Sequence, residues 1–234
     1  MIIDLFLWPM LLPLLIPILY CYKNKKEALN EVFIITLSMA IIVIFYWPLT
    51  TTFYSVANIY TKTVLFVIIP AGFLFLYDKS RSIKSDSYKS IFKLETFGIT
   101  NKGIDKSLIF ALIFTPIMII TTIIVLNLNN YGYGTDFYTG TVYFVESFTE
   151  EFLFRGILFL FLASRINIQV AYWTSLLSFI LMHPQYMPDS ILIITIVQGF
   201  LTLEICRRSK NMIGAWTLHG INRIFTIVIL PFIL

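Results

Sequence analysis

Of the chain's 234 residues, 58% are hydrophobic and only 13% are charged, about half the charged share of a soluble domain. With 22 Phe, 13 Tyr and a mean hydropathy of +0.85, the sequence excludes an ordinary soluble domain and reads as a polytopic membrane protein. The net charge of +4 gives no reason to expect nucleic acid as a partner, because in such a chain the information lies in where Lys and Arg fall between apolar runs.

Ile2 to Cys21 predicts a first span, with Pro9, Pro13 and Pro17 along one face. It contains Asp4, has no Lys or Arg before it and lacks a small-residue cleavage site, so it reads as a retained span and not a signal peptide. Lys23, Lys25 and Lys26 follow. Val32 to Phe53 is a second span with Trp47-Pro48 near its far end. After the short polar stretch Ser55 to Lys62, a third span runs from Thr63 to Tyr77. Between Asp78 and Lys106 lies the one long polar segment, where Tyr88, Ile91, Phe92 and Leu94 recur at helical spacing opposite the lysines. That pattern predicts an amphipathic helix lying on anionic lipid. Leu108 to Leu126 is a fourth span and Asn127 to Gly140 a loop. The fifth span, Thr141 to Ala163, ends before Arg165. Ile168 to His183 is the sixth, Pro184 to Asp189 a turn, Ile191 to Cys206 the seventh, and Met212 to the C-terminus the eighth.

The loops after spans one, three, five and seven hold 3, 7, 1 and 3 of the 17 Lys and Arg, while Lys62 is the one basic residue in the alternate loops. This bias predicts an all-α helical bundle of about eight transmembrane helices, in the cell membrane, with both termini outside. Residues 1–107 form an N-terminal group of three spans with the basic segment, and residues 108–234 a second unit. No internal repeat suggests a transporter of inverted halves. Cys21 and Cys206 fall near cytoplasmic helix ends, fit no metal or redox spacing, and are given no role.

The fifth span carries the chemistry. Glu150 and Glu151 are adjacent inside an apolar run, and ionisable groups in hydrocarbon mark a functional site by default. Glu151 and Arg155 stand i,i+4 with the acid on the N-terminal side, the favourable order for an ion pair. Glu150 lies about 100° round the helix and is left without that partner, free for chemistry. Glu146, i,i+4 from Glu150, reads either as part of the site or as facing water at the helix mouth, the second being preferred, and Glu204 as an end-of-helix pair with Arg207 and Arg208. Downstream, Phe179 and His183 are i,i+4 neighbours. His219 shares a face with Asn222 and with Arg223. The chain has two histidines, and both occupy this pattern.

Glu150-Glu151-x-x-x-Arg155, Phe179-x-x-x-His183 and the third element at His219 resemble, in order and separation, the motifs of the CPBP family. These are the CAAX-processing and bacteriocin-processing membrane proteases once grouped as Abi proteins. The resemblance covers roughly residues 141–234, and Phe97-Gly98-Ile99 is similar to the family's lead-in. The family's third motif has Asn or Asp four residues after His; here that position is Arg223, and Asn222 stands one residue early.

The resemblance implies a glutamic intramembrane endopeptidase acting on a membrane-associated peptide or protein within the lipid bilayer, with no cofactor. The substrate could be a CAAX-type tail, a peptide precursor or a sorting helix. Glu150 would be the general base that activates a water, and His183 would hold the same water. His219, with Asn222 or Arg223, would stabilise the oxyanion. Glu151 and Arg155 would fix the helix and set the field. A zinc hydrolase is the chemical rival, but no His-Glu-x-x-His occurs, so no metal is expected. A bacteriocin-immunity factor on the same scaffold and a proton-coupled transporter are the other functional classes. The charge count places the cavity toward the outer leaflet between spans five, six and eight, whereas the CAAX resemblance favours the cytoplasmic side.

Overall fold

A computed structural model describes residues 7–52, 56–84, 89–129, 136–184 and 191–232, and among these it contains helices and no strand. A 3-10 turn, Trp8–Leu14, leads into α1 (Leu15–Asn24), followed by α2 (Leu29–Thr52). Next, α3 (Val56–Lys62), a π-helical stretch Thr63–Ile68 and α4 (Ile69–Lys84) form one continuous helix. After α5 (Ile104–Leu128), α6 (Phe137–Glu151) continues through a π-helical Phe152–Phe161 into α7 (Leu162–Arg165). The remaining helices are α8 (Ile168–Met182), α9 (Leu192–Ser209) and α10 (Ile213–Ile224), the last followed by π-helical Phe225–Ile229.

Four of these helical runs, Lys26–Tyr46, Asn58–Ile83, Ile104–Leu128 and Ile213–Phe232, are long and apolar enough to cross a membrane, and Ile168–Met182 is a shorter apolar helix. The fold is an all-α polytopic membrane bundle. In α5 the division of faces is plain. Ser107, Ala111, Met118, Thr122 and Val125 recur at helical intervals and are buried. Ile109, Leu112, Ile113, Ile117, Ile120 and Ile124 are exposed, an apolar face suited to lipid contact.

Two expectations fail here. The polar segment does not form an amphipathic helix over its described part. Residues 89–93 form no helix and only Leu94–Phe97 makes a short 3-10 turn, while Tyr88 lies outside the described residues. The reason is a competing set of partners: Asp78 accepts hydrogen bonds from Ser90 Oγ at 2.6 Å and Ile91 N at 2.9 Å. Phe92 packs against Phe75 and Phe97, so the segment folds back on the bundle. The second failure concerns Ser55 to Lys62, which is helical from Val56 onward; Lys62 therefore belongs to a span and not to a loop.

The four basic loops gather at one end of the bundle. Lys25 Nζ donates to the Arg165 carbonyl at 3.2 Å, and the buried carboxylate of Glu31 pairs with Arg165 at 3.1 Å and Arg81 at 3.6 Å. Met212 N donates to Gly98 O at 3.0 Å, and Asn211 Nδ2 donates to Thr100 O at 2.6 Å. Glu204 pairs with Arg207 at 2.8 Å and Arg208 at 3.1 Å, as expected. Glycines let α10 sit close to its neighbours. A Cβ at Gly214 would lie 2.1 Å from Ser107 O and one at Gly220 2.4 Å from the Phe144 ring, so the helix that carries His219 is clamped between α5 and α6.

Candidate active site

Three helices distant in sequence deliver the polar residues singled out above to one buried region. Glu150 and Glu151 end α6, His183 caps the C-terminus of α8, and His219, Asn222 and Arg223 lie on α10. Glu150 lies within electrostatic range of His219, Arg223 and His183. Each π-helical stretch begins just after this region, following Lys62, Glu151 and Ile224. Such stretches widen a helix and are frequent at functional sites.

Glu151 and Arg155 form the expected pair, 3.1 Å apart and almost fully buried. Arg155 also binds beyond its own helix. Its Nη2 donates to Gly199 O at 3.3 Å and to Thr202 Oγ1, and its guanidinium sits 4.1 Å over the Phe179 ring. One side chain thus ties the glutamate helix to α8 and α9. Ser175 Oγ, donating to Phe154 O at 2.7 Å, adds a second tie.

The histidines are oriented by their neighbours. His183 Nδ1 is 2.7 Å from Phe179 O; a carbonyl only accepts, so Nδ1 carries the proton. Phe179 meets the same ring edge-on at 4.7 Å, which is the physical content of that i,i+4 pair. His219 Nδ1 is 2.9 Å from Glu151 Oε1, and its Nε2 lies 3.4 Å from Arg223 Nε, a donor. By the same reasoning His219 is the Nδ1–H tautomer with both nitrogens engaged. Asn222 Oδ1 accepts from Thr122 Oγ1 at 2.9 Å, which leaves the amide nitrogen as its outward group.

Glu150 and Glu146 overturn two expectations. Glu150 is not without a partner: Lys62 Nζ donates to its Oε1 at 2.7 Å. Glu146 does not face water. It is 5% exposed and pairs with the same ammonium. Burying two carboxylates one turn apart requires a cation, and α3 supplies it. Lys62 is the functional candidate the sequence reading missed, although one signal was present, since it was the single basic residue on the wrong side of the charge count. Oε2 of both glutamates has no hydrogen bond among the described residues.

A cavity of about 130 Å³ adjoins the cluster, room for several waters. Its polar wall is His183, Gln198, Asn222, Arg223, Thr122 and Tyr143, and its apolar wall includes Leu126, Ile191, Ile194 and Ile227. Glu150 borders the region but is not among the lining residues. The lining comes from the far ends of α5, α8 and α10 and the start of α9, so the cavity lies toward the end opposite the basic loops. Most of the Pro184 to Asp189 turn beside it lies outside the described residues. Among those described, no three His, Cys, Asp or Glu side chains converge as a ligand set.

Residues 135–225 match the family model for type II CAAX prenyl endopeptidase Rce1-like proteins. This match supports the CPBP group of CAAX proteases for the segment it covers. The match begins just before α6 and ends just after α10, so all six site residues of the motifs fall within the CPBP segment, while Lys62 lies outside it. No curated protein and no solved structure matches the chain.

Proposed function

We propose that this chain is an intramembrane endopeptidase that hydrolyses a peptide bond of a membrane-associated protein or peptide by a water that Glu150 and His183 activate. The observation that carries the reading is the convergence of Glu150, His183 and His219 from three helices of the CPBP segment, beside a cavity with a polar wall. Glu150 takes a proton from the water as its oxygen attacks the scissile carbonyl carbon, and returns that proton to the leaving amine. The Nε2 lone pair of His183 accepts the water's other hydrogen and orients the attack.

The oxyanion then needs donors. His219 has none to spare, since Nδ1–H points to Glu151 and Nε2 accepts from Arg223. Arg223 and the amide nitrogen of Asn222 are donors of the third motif on the cavity wall, so in this reading both sides of the third-motif alternative contribute and His219 acts by orienting Arg223. Glu151 and Arg155 hold the helix that presents Glu150.

The substrate named by the family, a prenylated CAAX tail, is the first to test, beside a peptide precursor. Entry from the outer side follows from the cavity's place opposite the basic end. The experiment is detergent-purified protein incubated with a panel of such peptides without any ion gradient, read by mass spectrometry. Wild type cleaves at one bond, in the presence of EDTA or phenanthroline as in their absence. Glu150→Gln lowers turnover by about 10²–10⁴-fold in a protein that still folds, with a melting temperature preserved or lowered; retained cleavage in that variant sinks the mechanism, and inhibition reversed by zinc replaces it with metal-assisted hydrolysis.

A further inference from the structure

Lys62 stands outside the CPBP segment and takes no part in the steps above, yet it makes the shortest route between α3 and the proposed base. Its ammonium donates to Glu150 Oε1 at 2.7 Å and pairs with Glu146, which precedes Glu150 by one turn of α6. The three side chains are 7% exposed or less. The Tyr46 ring of α2 covers the ammonium from 6.0 Å, a cation–π contact. Glu150 therefore pairs with Lys62 from α3, shares that ammonium with Glu146 of its own helix, and lies within electrostatic range of His219 and Arg223 from α10 and His183 from α8.

Two carboxylates and one ammonium leave the trio with a formal charge of −1. If Lys62 served only to neutralise Glu150, the proton Glu150 accepts would strand the ammonium in a buried site, at high cost. Glu146 removes that difficulty. When Glu150 takes a proton the trio becomes neutral, and Lys62 remains paired.

We infer that Lys62 is a positioning residue for the proposed reaction: it fixes Glu150 through Oε1, leaves Oε2 to meet the water, and passes its charge balance to Glu146 when Glu150 is protonated. The inference rests on the endopeptidase reading. A purely structural staple between α3 and α6 is the competing role, and the two separate in a variant set.

Kinetics and thermal unfolding are measured on Lys62→Met, Lys62→Arg and Lys62→Met/Glu146→Gln. Lys62→Met is expected to lower kcat by about tenfold or more, with KM within about twofold, the pattern of a lost transition-state interaction. Lys62→Arg recovers most of the loss, because the cation remains. The double variant, which again leaves one buried negative charge with no cation, recovers part of the melting temperature lost in Lys62→Met but not kcat. Wild-type kcat in Lys62→Met, or restored kcat in the double variant, overturns the positioning role and leaves Lys62 as Glu146's counter-ion alone.

A melting-temperature cycle of Lys62→Met and Glu150→Gln decides the contact even if no peptide is cleaved, an outcome that would count against the endopeptidase reading itself. Coupling is expected: Glu150→Gln raises the melting temperature in the Lys62→Met background and lowers or preserves it in wild type. Additive shifts would show that Lys62 does not hold Glu150, which overturns the inference independently of catalysis.

Discussion

Glu31 at the basic end of the bundle and Glu150 midway along the helical run from α6 to α7 are both carboxylates sealed from solvent, but their cations differ. Glu31 is met by Arg165 and Arg81, whose side chains are 26% and 39% exposed and reach in from helix C-terminal ends. Water can take over part of their work, and the arrangement acts as a staple between loops. Glu150 is met directly by an ammonium only 7% exposed, with the half-buried Arg223 guanidinium within electrostatic range. A carboxylate whose nearest cation is buried with it, and shared with Glu146, keeps its charge balance during proton transfer, which supports the proposed role of Glu150.

The comparison breaks most sharply at Arg155. Arg155→Ala leaves Glu151 buried with His219 as its one other partner among the described residues, so a loss of about 3–5 kcal/mol is expected, read as reduced expression or a lowered melting temperature. A well-folded but inactive Arg155→Ala would instead place Arg155 beside the reacting atoms. At the basic end, Arg165→Ala should cost less, about 1.5 kcal/mol, because Arg81 remains and the vacated site opens to water. Chemical denaturation of the purified protein measures the difference; equal losses at the two sites would remove the distinction. The smallest effect is expected where a neutral hydrogen bond replaces a charge. Thr122→Val deprives Asn222 Oδ1 of its donor and should cost about 1 kcal/mol, with a modest fall in kcat and no change in KM if Asn222 serves the oxyanion. A rise in KM alone would move Asn222 to substrate binding.

Much of the site was legible because it is local. Spacings of three and four residues on one helix put Glu151 against Arg155, Phe179 against His183, His219 against Arg223, and Glu204 against Arg207 and Arg208, and each of these contacts is present. Composition and apolar run length likewise determined an all-α membrane bundle, since a chain with so few charges has few other ways to satisfy its backbone in lipid.

What tertiary structure alone decided is which helices face each other. Lys62 and Glu150 are 88 residues apart, and no periodicity within either helix relates them. The sequence could register only that Lys62 broke the charge pattern of the loops. The polar segment after α4 was misread for a similar reason: its apolar residues have helical spacing, but Asp78 and a cluster of Phe rings offer its backbone and side chains better partners than a helix would. His219 shows the same limit at finer scale. The sequence located the residue and the Arg223 guanidinium beside it, while the Glu151 carboxylate on the other side of the ring, from α6, fixed which nitrogen holds the proton and hence what the ring can donate.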